Sequence, residues 1–231
     1  VSQIMGLVFR TAVRGTSPFG YRRDRRLGAF GDQSHTGCMC NLYRMRASVD
    51  ELRQMFGAFD GDRSNLGPRD EIYPGQKAPV LRLIDGTLTL DEIKWGVPPP
   101  VSASRPVTNV RNLSSPFWRP MLTNPQQRCL VPWTQFCEWT GPKGSKRKLW
   151  FERTDAGVSA FAGLWRNTSE GPRMAFLTTE ANDTVGAIHP KAMPVILEAD
   201  SHERWLTGDY DVAAGLARPF DDSRMVTIDE S

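Results

Sequence analysis

The sequence predicts an α+β domain dominated by antiparallel strands, with a few short helices. Three observations carry that prediction. Apolar runs of strand length recur through the middle of the chain, separated by turns rich in Gly and Pro. Asp85-Gly86-Thr87 sits between two such runs, which is a hairpin signal. Helical periodicity is confined to one segment after residue 47 and two short ones near the C-terminus.

The first 38 residues have neither helical nor strand periodicity and are rich in Gly, Arg and Ser. They read as a disordered leader, or as translated upstream sequence before a true start at Met39; an organellar transit peptide has a similar Arg-rich, acid-poor composition. The texture changes at Met39. Ser48-Val49-Asp50-Glu51 is a capping box, and Val49, Leu52, Met55, Phe56 and Phe59 follow at helical spacing, predicting a helix over 48–59. The hairpin pairs residues 78–84 with 88–96. Further strands are predicted over 128–139, 148–153, 159–165, 173–180 and 193–197, with turns at 141–144 and 169–172. Short helices are expected near 201–206 and 212–217. No internal repeat and no second boundary divides residues 39–231, which are expected to form one domain.

With 231 residues, 39% hydrophobic and 24% charged, the chain can bury a full core without disulfide staples. No apolar run approaches the roughly 18 residues of a membrane-spanning helix, so no membrane association is expected. Six of the 29 basic and two of the 26 acidic side chains lie in residues 1–38, leaving 23 basic and 24 acidic in residues 39–231. The net charge of +3 therefore belongs to the leader, and only a local patch of the main domain could hold nucleic acid. A cytoplasmic protein with free thiols follows from four cysteines and no secretory signal.

No dinucleotide or P-loop glycine pattern is present, and no cofactor is expected. Cys38, Cys40, Cys129 and Cys137 with His35, His189 and His202 do not match a zinc knuckle or ribbon, so no metal site is expected. Cys129 and Cys137 lie in an apolar run and read as core residues. Cys40 differs. Cleavage of the Met39–Cys40 bond gives it a free α-amine, with a pKa of about 7.7–8.0, beside a thiol near about 8.5. Such a 1,2-aminothiol captures an aldehyde twice, first as a Schiff base and then as a five-membered thiazolidine. Glu138, in Cys137-Glu138-Trp139, reads either as a proton-transfer acid with a raised pKa or as a salt-bridged structural acid. His189 reads as a structural histidine or an acid–base group. Asn109 reads as a turn cap or an amide donor in a site.

In this order, Met39-Cys40-Asn41-Leu42-Tyr43, EIYPGQKAPVL, IKWGVPP, TNVRNLSSPFWRP, RCLVPWTQFCEW, FAGLW, FLTTEAND and IHPKAMPVIL resemble the SRAP family, the SOS-response-associated peptidases. The likeness runs from Met39 to about Leu206. It implies a sensor of abasic sites in single-stranded DNA that acts in the DNA-damage response, with its initiator Met removed to expose the following Cys. Cys40 matches the family's nucleophile, Asn109 its active-site Asn, Glu138 its Glu-Trp acid, and His189 the His before Met-Pro. The DNA-facing set implied is Asn41, Pro74, Trp95, Arg111 and Lys191, with Pro74 and Trp95 as wedge and stacking surfaces and Arg111 on phosphate. The sequence departs from the usual Cys-Gly-Arg with Cys40-Asn41-Leu42. It also departs from His-x-Arg-Met-Pro, reading His189-Pro190-Lys191-Ala192-Met193-Pro194, so that the Arg is either replaced by Lys191 or lost.

Two routes expose Cys40: initiation at Met39, or self-cleavage before Cys40. The protein is expected to be monomeric and to work at the nucleoid. A cysteine protease using Cys40 and His189, and a non-catalytic single-strand DNA-binding module, are the competing classes.

Overall fold

The computed structural model describes residues 40–61, 66–99, 105–230. The leader, the Met39 start, Cys38 and His35 lie outside the described residues. Along the chain the elements are β1 (Tyr43–Met45), α1 (Val49–Phe56), β2 (Arg69–Ile72), β3 (Lys77–Ile84), β4 (Thr87–Trp95), β5 (Asn109–Val110), α2 (Arg119–Thr123), β6 (Arg128–Trp133), β7 (Gln135–Thr140), β8 (Arg147–Arg153), β9 (Ser159–Thr168), β10 (Gly171–Thr179), α3 (Asp183–Gly186), β11 (Met193–Pro194), β12 (Ile196–Leu197), α4 (His202–Thr207), α5 (Tyr210–Gly215) and β13 (Met225–Asp229). The α+β class with mostly antiparallel strands is as the sequence predicts. Among the described strands the parallel pairings are those of β10 with β4 and with β5, and a single parallel bridge joins Asp60 to Thr89.

Local chemistry explains the elements that were predicted well. Ser48 accepts from the Glu51 amide while the Glu51 carboxylate accepts from the Ser48 amide, closing both halves of the capping box. The helix stops at Phe56, three residues short of expectation, because Gly57 takes φ 80° and ends it. Asp85 and Gly86 both take positive φ, 49° and 81°, the geometry of a two-residue hairpin turn between β3 and β4.

Five strands close a ring in the order β10, β4, β3, β6, β9 and back to β10, with β5, β11 and β12 added at its margins. A second sheet runs β13-β8-β7-β1-β2. The predicted strand over 128–139 is thus two strands in different sheets. The chain switches at Thr134, whose amide donates to the Arg44 carbonyl at 2.7 Å. The predicted strand over 193–197 is likewise split: β11 pairs with β10, and β12 with β9.

The two sheets meet over a cluster of buried rings, Tyr43 and Phe136 from the second sheet against Trp95, Trp133, Phe161 and Phe176 from the barrel. Trp133 stacks on Phe161 at 4.8 Å between centroids, and Trp95 lies 5.0 Å from Phe176. Burial of each ring contributes about 4–6 kcal/mol of transfer free energy at about 25 cal/mol per Å². Fully buried Arg128 donates to the carbonyls of Leu122, Trp205 and Gly208, which fastens α2 and α4 to the barrel.

Candidate active site

Four side chains far apart in sequence converge where β1 enters the second sheet. The Cys137 amide donates to the Leu42 carbonyl at 2.9 Å, which lays residues 40–42 alongside β7. Tyr43 opposes Phe136 in that pairing, so Glu138, two residues further along β7, shares the Phe136 face. Glu138 is 3% exposed. Asn109 arrives from the barrel on β5, opposite Phe176 of β10, and its Nδ2 donates to the Cys40 carbonyl at 3.1 Å. Thr108 fixes that amide by accepting from the same Nδ2 at 3.0 Å. His189 follows α3, whose N-cap Asn182 accepts from the Val185 amide, and the His189 amide in turn donates to the Val185 carbonyl at 2.8 Å. Its Nδ1 reaches Glu138 Oε1 at 3.5 Å, an ion-pair distance longer than a normal hydrogen bond.

Burial and mutual charge set the protonation of this group. Burial raises the Glu138 pKa, and the imidazole of His189 partly opposes that. His189 is raised in turn, first by its contact with Glu138, with burial working against it. The Cys40 thiol lies well above its ordinary pKa, chiefly through burial and then through the charge of Glu138. Its hydrogen bond goes to the Leu42 carbonyl at 3.7 Å and not to His189, so no thiolate–imidazolium pair is formed.

Glu138 Oε1, Asn109 Oδ1 and both ring nitrogens of His189 are buried without a hydrogen-bond partner among the described residues. Buried polar atoms are nearly always paired; here Glu138 Oε1 and His189 Nδ1 face each other at 3.5 Å, and Asn109 Oδ1 beside them has no hydrogen-bond partner among the described residues.

The residues expected to face DNA divide into two groups. Pro74 is exposed on the turn between β2 and β3, Lys191 is exposed just after His189, and Asn41 is half-buried beside Cys40. Arg111 is partly exposed and paired with Glu180 at 2.9 Å; a surface pair of this kind is worth only about 0–1 kcal/mol and yields readily to a phosphate. Trp95 corrects the expectation. Its ring is 0% exposed, packed edge-on to Tyr43 and against Phe176, with Nε1 donating to the Thr108 carbonyl at 2.9 Å. It offers no stacking face and instead holds the backbone beside Asn109. Glu180 had no signal in the sequence because its pairing with Arg111 is non-local, and Thr108 had none because its contact with the adjacent Asn109 depends on side-chain rotamers that spacing does not give.

Residues 39–229 match the family described as SOS response associated peptidase (SRAP). The chain belongs to the SRAP family. Solved structures agree on the fold. A Bacteroides thetaiotaomicron protein is similar with a TM-score of 0.69 and 21% identity, covering 82% of this chain and 91% of that one. A Bordetella bronchiseptica protein has a TM-score of 0.69 at 19% identity, covering 83% and 100%. A phage-related protein from the same organism has 0.66 at 22% identity, covering 82% and 93%. No curated protein matches the chain. The described residues include no helix long and apolar enough to cross a membrane, and no group of three or more His, Cys, Asp or Glu placed to hold a metal ion.

Proposed function

We propose that this SRAP protein senses abasic sites in single-stranded DNA by coupling covalently through Cys40. The observation that carries the reading is the grouping of a buried Glu138–His189 pair and an Asn109 amide around Cys40, with Asn109 Nδ2 on the Cys40 carbonyl and the Glu138 charge acting on its thiol. The reaction requires Cys40 to be N-terminal, so residues 1–39 are absent from the active form or are removed.

The α-amine of Cys40 attacks the aldehyde carbon of the ring-opened deoxyribose, giving a carbinolamine. Glu138, kept protonated more readily by burial, gives its proton to the departing hydroxyl, which leaves as water. The Cys40 sulfur then adds to the same carbon of the iminium, and its proton passes to the Glu138 carboxylate. One carbon–nitrogen bond and one carbon–sulfur bond form, one water is lost, and no oxidant is needed. The raised thiol pKa suits this order: the neutral thiol waits while the amine reacts, and it is deprotonated only where Glu138 has just become a base. His189 is more readily cationic than an ordinary histidine and can protonate the sugar ring oxygen as the ring opens. Asn109 holds the Cys40 carbonyl, and so the direction of the amine, while its free Oδ1 can accept from the amine or from the opened sugar. The lesion so capped is shielded in the damage response, by a monomer acting on DNA in the cytoplasm.

A uracil-containing single strand treated with uracil glycosylase supplies the test. A product that survives heat and detergent supports the reading. Cleavage of casein supports a protease instead, and salt-sensitive binding with no covalent product supports a plain binding module.

A further inference from the structure

We propose that a row of basic side chains across the barrel is a second DNA contact, a track for phosphates flanking the lesion; it rests on the DNA-binding reading above. Lys77 of β3 stands directly opposite Lys94 of β4, Lys94 opposite Arg173 of β10, and Arg173 opposite Arg166 of β9. Directly opposed residues on neighbouring strands point to the same face, so four cations lie side by side on four consecutive strands. At about 4.8 Å between strands the row is about 14 Å long. Arg173 and core residue Phe176 are an odd number of residues apart on β10, which puts the row on the face turned away from the ring cluster.

Like charges placed directly opposite destabilise a sheet. Here only part of the repulsion is relieved. Arg173 is 7% exposed and paired with Glu170, and half-buried Arg166 lies over the Phe117 ring at 5.7 Å, so the cations of the row open to a phosphate are Lys77 and Lys94. Lys77 and Lys94 are exposed and have no anionic partner among the described residues. Glu92, two residues before Lys94 on the same face, is engaged by Arg69. A polyanion laid across the row supplies the missing counter-charge, as a nucleic-acid backbone does.

Position ties the row to the active site. β4 and β5 pair with the same β10, with Lys94 opposite Arg173 and Asn109 opposite Phe176. The three residue steps from Arg173 to Phe176 span about 10 Å. The Gly75 amide donates to the Trp95 carbonyl at 2.7 Å, so the exposed Pro74 turn also adjoins the Lys94 end of the row. Asn109 shares the Phe176 face and the row lies on the other, so a strand whose abasic sugar sits at Cys40 meets the row by passing round the sheet margin at the exposed Pro74 turn.

The experiment measures binding of a fluorescent, undamaged oligodeoxythymidylate across a salt series, for wild type, Lys77→Gln/Lys94→Gln, and Arg204→Gln/Arg218→Gln as a control of equal charge loss. The slope of log K against log salt is expected to shrink by about 1.4 in the lysine variant, at about 0.7 per lost phosphate contact on a single strand. The control slope should change by much less, and relief of the like-charge pair should leave the Tm of the lysine variant equal to wild type or higher. An unchanged slope in the lysine variant, an equal fall in the control, or no affinity of wild type for the undamaged strand overturns the row. A wild type that fails to cross-link abasic DNA but binds the undamaged strand with the predicted loss of slope overturns the covalent mechanism and leaves the row standing.

Discussion

Replacing Glu138 by Gln keeps the size and packing of a side chain that is 3% exposed, but ends its exchange of protons. A positioned general acid–base contributes about 10²–10⁴ in rate, or about 2.7–5.4 kcal/mol of barrier. The expected loss lies in that range because the variant retains the Cys40 amine and thiol and the hydrogen bond from Asn109. Stability should move the other way. The pKa values of Glu138 and His189 are both raised, so each favours the folded chain at pH below its ordinary value, and that contribution is lost as pH rises through the raised value. The Gln variant no longer suffers the Glu138 loss and should be at least as stable as wild type at pH 8. With the first cause of its elevation removed, His189 should also titrate lower, visible by NMR. The assay follows denaturant-resistant product with time, using protein that begins at Cys40 in excess over abasic oligonucleotide, between pH 5.5 and 8.5. Wild-type rates in Glu138→Gln across that range would refute the role given to this carboxylate.

Cys40→Ala should give no cross-link on a denaturing gel, and Cys40→Ser at most a labile imine; a stable product from either contradicts ring closure by sulfur. Fully paired abasic duplex should react more slowly than a single strand or a single-strand/duplex junction, since extruding the sugar costs a few kcal/mol, and equal rates in a side-by-side time course count against that. Trp95→Ala should lower the Tm by about 6–20 °C, from a loss of about 3–5 kcal/mol on emptying a buried indole site; a Tm within a degree of wild type on calorimetry contradicts its place in the core.

What the sequence revealed follows how local each interaction is. The Ser48–Glu51 capping box and the Asp85-Gly86 turn are complete within a few residues, and both appear where expected. The switch at Thr134 was hidden because β6 is buried on both faces, and the apolar run from Cys129 to Cys137 is interrupted only by Thr134 and Gln135. Strands β1, β2 and β13 are short and carry charged residues, and they exist through partners far along the chain, as Tyr43 opposite Ile72 and Phe136 illustrates. The sequence does not reveal that Trp95 points inward, because the motif around it gives a position in the chain and not the side of the strand on which the ring lies. Cys40, Asn109, Glu138 and His189 were legible through family resemblance alone; singly, each had an equally good structural reading. Their convergence depends on pairing between β1 and β7 and between β5 and β10, which no spacing rule encodes.

The most direct test of the covalent mechanism compares two forms of the protein, one beginning at Met39 and trimmed to Cys40, the other uncut from Val1. In the uncut chain the Cys40 nitrogen is part of a peptide bond and is no nucleophile, and its thiol alone gives only a reversible hemithioacetal. Intact mass after reaction with an abasic oligonucleotide should show, for the short form, an adduct one water lighter than the sum of its parts. The uncut form should show none unless it first loses the residues before Cys40. An equally stable adduct on the uncut chain would contradict the requirement for the α-amine, and with it the thiazolidine mechanism.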